Sequence, residues 1–471
     1  MTRRAEPLEP QVSEPLACYI ASSQVAPLGA EIRELGRLHI LDTLAAMVAC
    51  RDLAPARLAR EHALALSGDA RKSAATILGS YDRAAIVDAV FASAMTGHGA
   101  EINDFNPSAF VQPGPAVVST ALALAETRHR SGDALLRAVV AGYELAGRIP
   151  KALGVDNLRR AGIANHGVGA LFGSAAAAAS LLGLSRESIG DVLAFCAQQA
   201  SGSWQWLLDV EHIEKAFVFA GMGARNGLSA ALMVEAGFRG VRACLDRQGG
   251  FMSAPIFSGG DADRRQLSDG LRERSELHLT AFKRYPVGGP AQPAVEALLE
   301  LVPRIDRRAL ESVRIRMPGR AQAFRDAAMP ALNLRYLTAI ILIDGYLDFG
   351  AAQSLERMRA DAPVRDWMAK VEVEHDPEQE APRGAPRTES ARVVLTLRDG
   401  VQLEKYVPFV RGFPSHPMSR ADVEHKALEL MAPRLGTHGA RAVVERLWAL
   451  ESLPAAGELV SLIASADGHA A

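Results

Sequence analysis

The side chains best suited to chemistry gather in one stretch, His98-Gly-Ala-Glu-Ile-Asn-Asp-Phe-Asn-Pro-Ser-Ala-Phe-Val-Gln-Pro-Gly-Pro. His98, Glu101 and Asp104 recur at intervals of three, so at a helix end they share a face. An imidazole beside two carboxylates suits general acid–base work, because close neighbours push one another's pKa values apart. The alternative is a solvated helix end followed by an Asn-Asp-Phe-Asn turn. Apolar runs flank the stretch, Ala84 to Thr96 before it and Val117 to Ala125 after it. Polar groups left unpaired beside buried helices cost a few kcal/mol each. The stretch therefore predicts the floor of an active site.

Four further sites carry groups of the right kind. Asn165-His166 opens an alanine-rich run, and a helix N-terminus lowers the pKa of a nearby histidine and can hold a carboxylate; the plainer reading is an N-cap and a first-turn filler. Lys215 precedes an aromatic run, Ala-Phe-Val-Phe-Ala-Gly, with Trp204 and Trp206 upstream. It can snorkel, pair with Glu214, or bind a substrate carboxylate. Lys283 and Arg284 lead into Tyr-Pro-Val-Gly-Gly-Pro, which is an anion clamp or a basic surface turn. Tyr336 begins an apolar helix, where its hydroxyl needs a ligand or a backbone partner.

These groups must be held by a framework of 471 residues, long enough for two domains. A formal net charge of -2 gives no electrostatic case for nucleic acid or an anionic membrane. Only seven of the 52 basic residues are lysines, so a lysine within an apolar run stands out. The cysteines, Cys18, Cys50, Cys196 and Cys244, have no metal or redox spacing. Met1 to Pro15 has no apolar signal core, and no uninterrupted apolar run reaches a membrane span. The expectation is a cytoplasmic protein.

Residues 16 to about 274 read as successive helices without strand-like alternation, an all-α domain. The pattern changes near Thr280. Leu310–Arg316 and Lys370–Val373 alternate with period two, and Asp399-Gly400 joins Arg392–Leu397 to Val401–Tyr406 in a hairpin. An apolar helix covers Asn333–Leu347, and Glu374–Ser390 is a charged, proline-rich loop. Helical periodicity resumes at Ser419, an N-cap candidate. The predicted fold is mainly α: a helical domain from residues 1–274 and 411–471, with an inserted α+β lid at 275–410.

In order and spacing these segments resemble the MmgE/PrpD family of 2-methylcitrate dehydratases and cis-aconitate decarboxylases, over nearly the whole chain. The carriers are His98-Gly-Ala-Glu-Ile-Asn-Asp with Pro113, Gly142-Tyr-Glu, Asn165-His166, Lys215 before Arg225-Asn-Gly, Lys283-Arg-Tyr-Pro and Tyr336 before Gly345. The resemblance implies a pocket between helical domain and lid, a homodimer, and work on small polycarboxylates without metal or organic cofactor. It makes Glu101, Asp104, His166, Lys215 and Tyr336 catalytic, and His98, Gln112, Lys283 and Arg284 substrate-binding.

Two departures bear on the reaction. The family's His-Pro-Ser is here Gln112-Pro113-Gly114, and its histidine after Lys-x-Tyr-Pro is missing, with only Gln292 nearby. Glutamine hydrogen-bonds but relays no proton near neutral pH, which weighs against a cis-aconitate decarboxylase. The leading expectation is a hydro-lyase that abstracts an α-proton from a hydroxy-polycarboxylate. The alternatives are an epimerase or isomerase of a dicarboxylate such as an iminodisuccinate-like compound, a decarboxylase, and a binding protein without catalysis.

Overall fold

The computed structural model describes residues 11–68, 74–259, 262–382 and 389–464. The first ten residues and part of the Glu374–Ser390 loop lie outside them.

The fold is mainly α, with two hydrophobic cores. The larger core draws on residues from Val12 to Leu277 and again on Ala427 to Ile463. Its centre is the helix Asn165–Leu182, buried along all but its last residue. Alanine and glycine dominate that helix, and their small side chains let Gly132–Leu153, Pro113–Thr127 and Met222–Glu235 pack directly on it. The smaller core draws on Phe105 and on residues from Ala281 to Phe413, around a four-stranded sheet. Leu310–Met317 pairs in parallel with Val371–His375 and antiparallel with Ala391–Leu397, which pairs with Gln402–Val407. The hairpin falls at the predicted turn, where Gly400 takes φ 86°. The sheet's inner face packs on helices Gln292–Leu301 and Leu334–Asp344.

The C-terminal segment returns to the first core. Ser419 accepts from Asp422 N while the Asp422 side chain bonds the Ser419 backbone, a capping box that starts Arg420–Trp448. That helix packs on Ala30–Cys50 and breaks at Gly436, where φ is 67°.

Two details differ from expectation. The N-terminal part is not purely helical: Ala74–Thr76 and Arg83–Ala85 pair antiparallel beside the long helices. Three residues each are too few for alternation to show. Pro113 and Pro115 do not break the chain but open the helix Pro113–Thr127. Proline lacks only an N–H that has no partner in a first turn, and its φ suits a helix.

The loop between helices Ile86–Gly97 and Pro113–Thr127 belongs to both cores. Phe105 packs in the smaller one and forms a two-way backbone bridge with Ala281. The bridge carries residues 281–283 to the loop and so brings Lys283 to Glu101.

Candidate active site

Glu101 lies at the centre of the site, buried in the loop after Ile86–Gly97. One carboxylate oxygen accepts from Lys215 Nζ and the other from Lys283 Nζ, at 3.0 Å. Both ammonium groups are buried. Burial alone would raise the Glu101 pKa, but the two lysines, with His212 and His98, hold it well below the usual range. Burial lowers the Lys215 pKa while Glu101 opposes that shift. Two cations on one anion leave the cluster net positive, which suits a second carboxylate.

Lys215 reaches this point from an irregular helix. Asp209 accepts from the backbone N–H of Glu211 and of Lys215, fixing the entry turn. The helix then passes from α geometry at Ile213–Ala216 through a π turn at Phe217–Gly221, a bulge that re-aims side chains. Phe219 on that turn lies between two imidazoles, stacked on His166 at 3.6 Å and on His98 at 4.8 Å between ring centres. The Lys215 ammonium sits 4.8 Å from the Trp206 ring and 5.1 Å from Phe219, within cation–π range.

The loop fixes the tautomer of its own histidine. Asn103 Nδ2 donates to Asp104 O at 3.0 Å, so Asn103 Oδ1 is the acceptor facing His98 Nδ1 at 2.7 Å. His98 thus carries its proton on Nδ1, and Nε2 offers a lone pair with no hydrogen-bond partner among the described residues. Gln112 Oε1 lies 2.8 Å from His166 Nδ1. Burial lowers the pKa of both histidines, so both are neutral near pH 7.

His212 is a third imidazole. A ring nitrogen of His98, one of His212 and a Glu101 oxygen all lie within 4.8 Å of one another. Such a trio has the donor set of a metal site. A cation there would face the two ammonium groups already on Glu101, each repelling a unit charge by about 4 kcal/mol at 4 Å and an effective dielectric of 20. The charge balance favours an anion.

Other predicted residues lie around this cluster. Asp104 is turned beneath the loop: Tyr143 Oη donates to it at 2.6 Å, His39 Nδ1 lies at 3.1 Å, and Gly114 N donates at 3.1 Å. A Cβ at Gly114 would lie 2.8 Å from that carboxylate and 2.3 Å from Thr43 Oγ1, so only glycine fits. Tyr336 is buried in the smaller core and donates to Ala351 O at 2.6 Å. Arg284 pairs with Glu429 at the surface, 2.9 Å away. Gln292 accepts from Tyr285 N and donates to Tyr285 O and Val287 O, bracing the turn after Lys283. His212, Phe219 and Asn103 were not among the predicted site residues. Only Asn103 had a local signal, its place between His98 and Asp104.

Two family models match the chain: the MmgE/PrpD N-terminal domain over residues 14–264 and the MmgE/PrpD C-terminal domain over residues 285–450. A cis-aconitate decarboxylase-like protein of Aspergillus oryzae is 27% identical over 417 residues, covering 81% of this chain and 82% of that protein. The cis-aconitate decarboxylase of Homo sapiens is 24% identical over 475 residues, covering 96% of this chain and 94% of its own. That of Aspergillus terreus is 30% identical over 219 residues, 42% of each chain.

Proposed function

Because the chain belongs to the MmgE/PrpD family, we propose that its buried cluster is a lyase active site for a small hydroxy-polycarboxylate, opened by removal of an α-proton. The observation that carries this reading is the convergence of Lys215 and Lys283 on one buried carboxylate, beside imidazole nitrogens that have no partner among the described residues.

Glu101 occupies the place of an anion and keeps both lysine side chains aligned. A substrate carboxylate beside the same lysines spreads charge onto its oxygens when the neighbouring C–H bond breaks. Fixed cations in a water-poor site stabilise that developing charge more than the ground state. The proton needs a neutral base one carbon from the carboxylate. His98 belongs to the trio that contains Glu101 and has an Nε2 with no partner among the described residues, so it fits that role better than Asp104, whose oxygens already accept three hydrogen bonds. His166, steadied by Gln112 and stacked on Phe219, lines the aromatic side. Loss of the β-hydroxyl from the resulting carbanion completes a dehydration.

The test is a panel of hydroxy di- and tricarboxylates with cis-aconitate, followed by ultraviolet absorption of unsaturated product, carbon dioxide release and deuterium uptake from heavy water. Dehydration with absorption gained is the expected result. Carbon dioxide from cis-aconitate would reassign the site as a decarboxylase, and deuterium uptake without elimination as an epimerase. Inertness toward the whole panel would refute an enzyme.

A further inference from the structure

His212 stands in a conformation that is hard to explain by packing alone. Its backbone is left-handed, φ 65° and ψ 14°, an arrangement that disfavours any residue with a Cβ. Its side chain is buried, yet neither ring nitrogen has a hydrogen-bond partner among the described residues. Backbone strain and an unsatisfied buried imidazole are both unfavourable, and both lie at the entry turn that Asp209 fixes. Such costs persist where a side chain must be aimed at something.

The ring is aimed at the cluster. It meets His98 edge-on, 5.1 Å between ring centres, and its Nε2 is 4.0 Å from Glu101 Oε1. Ring nitrogens of His98 and His212 lie within 4.8 Å of one another, yet no hydrogen bond joins the two rings. That spacing suits one oxygen placed at about 2.8 Å from each. Lys215 holds the same Glu101 oxygen that His212 faces, and Lys283 holds the other, so a small molecule whose carboxylate lies beside the lysines brings a neighbouring substituent within reach of the imidazoles.

We propose that His212 is a catalytic residue that donates a hydrogen bond to the substrate's hydroxyl oxygen, leaving the His98 Nε2 lone pair for the proton. This rests on the lyase reading and adds a specificity element, a preference for a hydroxyl near the lysine-bound carboxylate. In the elimination, His98 Nε2 takes the α-proton, and the C–H electron pair becomes the new carbon–carbon double bond. The C–O bond breaks with its electrons on oxygen. His98 returns the proton to that oxygen to form water, while neutral His212 donates a hydrogen bond from one ring nitrogen throughout. No other reactant is consumed. Burial, followed by the field of Lys215, pushes the His212 pKa down to about 3, so the ring stays neutral as this role requires.

Two variants separate the role from the fold. His212→Asn suits left-handed backbone and keeps a polar group, and His212→Gly removes both strain and side chain. Calorimetric titration with malate and with succinate, which differ by one hydroxyl, should show the wild type preferring malate at least tenfold. Both variants should bind succinate like the wild type and lose the preference. Their turnover of the best hydroxy acid should fall about 10²–10³-fold, with the thermal midpoint of His212→Gly held or raised. A malate preference that survives in both variants, or is missing from the wild type, overturns the proposal. So does wild-type turnover by His212→Gly. An inert wild type that nevertheless shows the His212-dependent preference would sink the lyase reading and leave the hydroxyl contact standing.

Discussion

Two charged networks lie on opposite sides of the 98–115 loop, and they are built for different ends. Beneath the loop, Lys426 donates to Asp42 at 2.5 Å and to Ile102 O at 2.7 Å, while Asp104 gathers Tyr143, His39 and Gly114. This lower network ties the loop to helices Ala30–Cys50, Gly132–Leu153 and Arg420–Trp448. Above it, two lysines share Glu101, and three imidazole nitrogens, His98 Nε2 and both of His212, have no partner among the described residues. The lower network has leftovers too, His39 Nε2 and Asp42 Oδ2, but its polar bonds join four separate segments. In the upper network the bonds converge on a point and the free nitrogens surround it. One arrangement holds a loop in place; the other has the form expected of the proposed ligand site.

The largest effect should come from the upper network. Lys215→Met should lower kcat/KM by about 10³–10⁴-fold, roughly 4–5.5 kcal/mol of transition-state stabilisation. The chain should still fold, since Lys283 keeps Glu101 paired. A variant retaining more than a tenth of wild-type kcat/KM would break the distinction between the networks.

Lys426→Met tests the other side. Removing one member of a buried ion pair costs about 3–5 kcal/mol, which urea denaturation should show as a lower midpoint. The folded fraction should keep kcat within a few-fold, because Lys426 reaches a carboxylate and a backbone carbonyl of the frame and not Glu101. A large fall in kcat with unchanged stability would reverse the two roles.

Acid should weaken the upper network gradually. His98, His166 and His212 have folded-state pKa values below the usual 6.5, with burial the first cause in each. Below pH 6.5 the unfolded chain therefore binds more protons than the folded one, and stability falls as pH falls. Each group contributes a slope of up to about 1.4 kcal/mol per pH unit within its window; for His212 that window runs from 6.5 down to about 3. Thermal melts from pH 7.5 to 4.5 should show the decline, and His212→Asn should make it shallower. A flat profile would mean that these imidazoles are not held neutral.

The smallest effect is assigned to Tyr336. Its hydroxyl serves Ala351 O inside the smaller core, so Tyr336→Phe should cost about 1 kcal/mol of stability and change kcat less than threefold. A hundredfold loss of kcat would instead bring this tyrosine into the reaction.

Much of the site was legible in the chain because its signals are local. His98, Glu101 and Gln112 announced themselves as polar residues between two apolar helices, and Lys215 as a rare lysine ahead of an aromatic run. Asp104 carried the same signal but serves the frame, because a spacing of three does not say which way a side chain turns once the chain leaves the helix. His212 carried no signal: a histidine after an acidic turn has no periodicity to betray burial, and its left-handed backbone depends on how Asp209 folds the turn.

The sequence by itself determined the helical character of the first part, the Asp399-Gly400 hairpin, the Ser419 cap and the helix that follows it. These follow from hydrophobic periodicity and turn chemistry within a few residues. Only the tertiary structure decided which charges meet. Lys215 lies 114 residues from Glu101, Lys283 lies 182, and Lys426 is 384 residues from Asp42. No local pattern encodes those distances. They arise because the loop is shared by two cores, and burying it required each of its charges to find a partner from elsewhere in the chain.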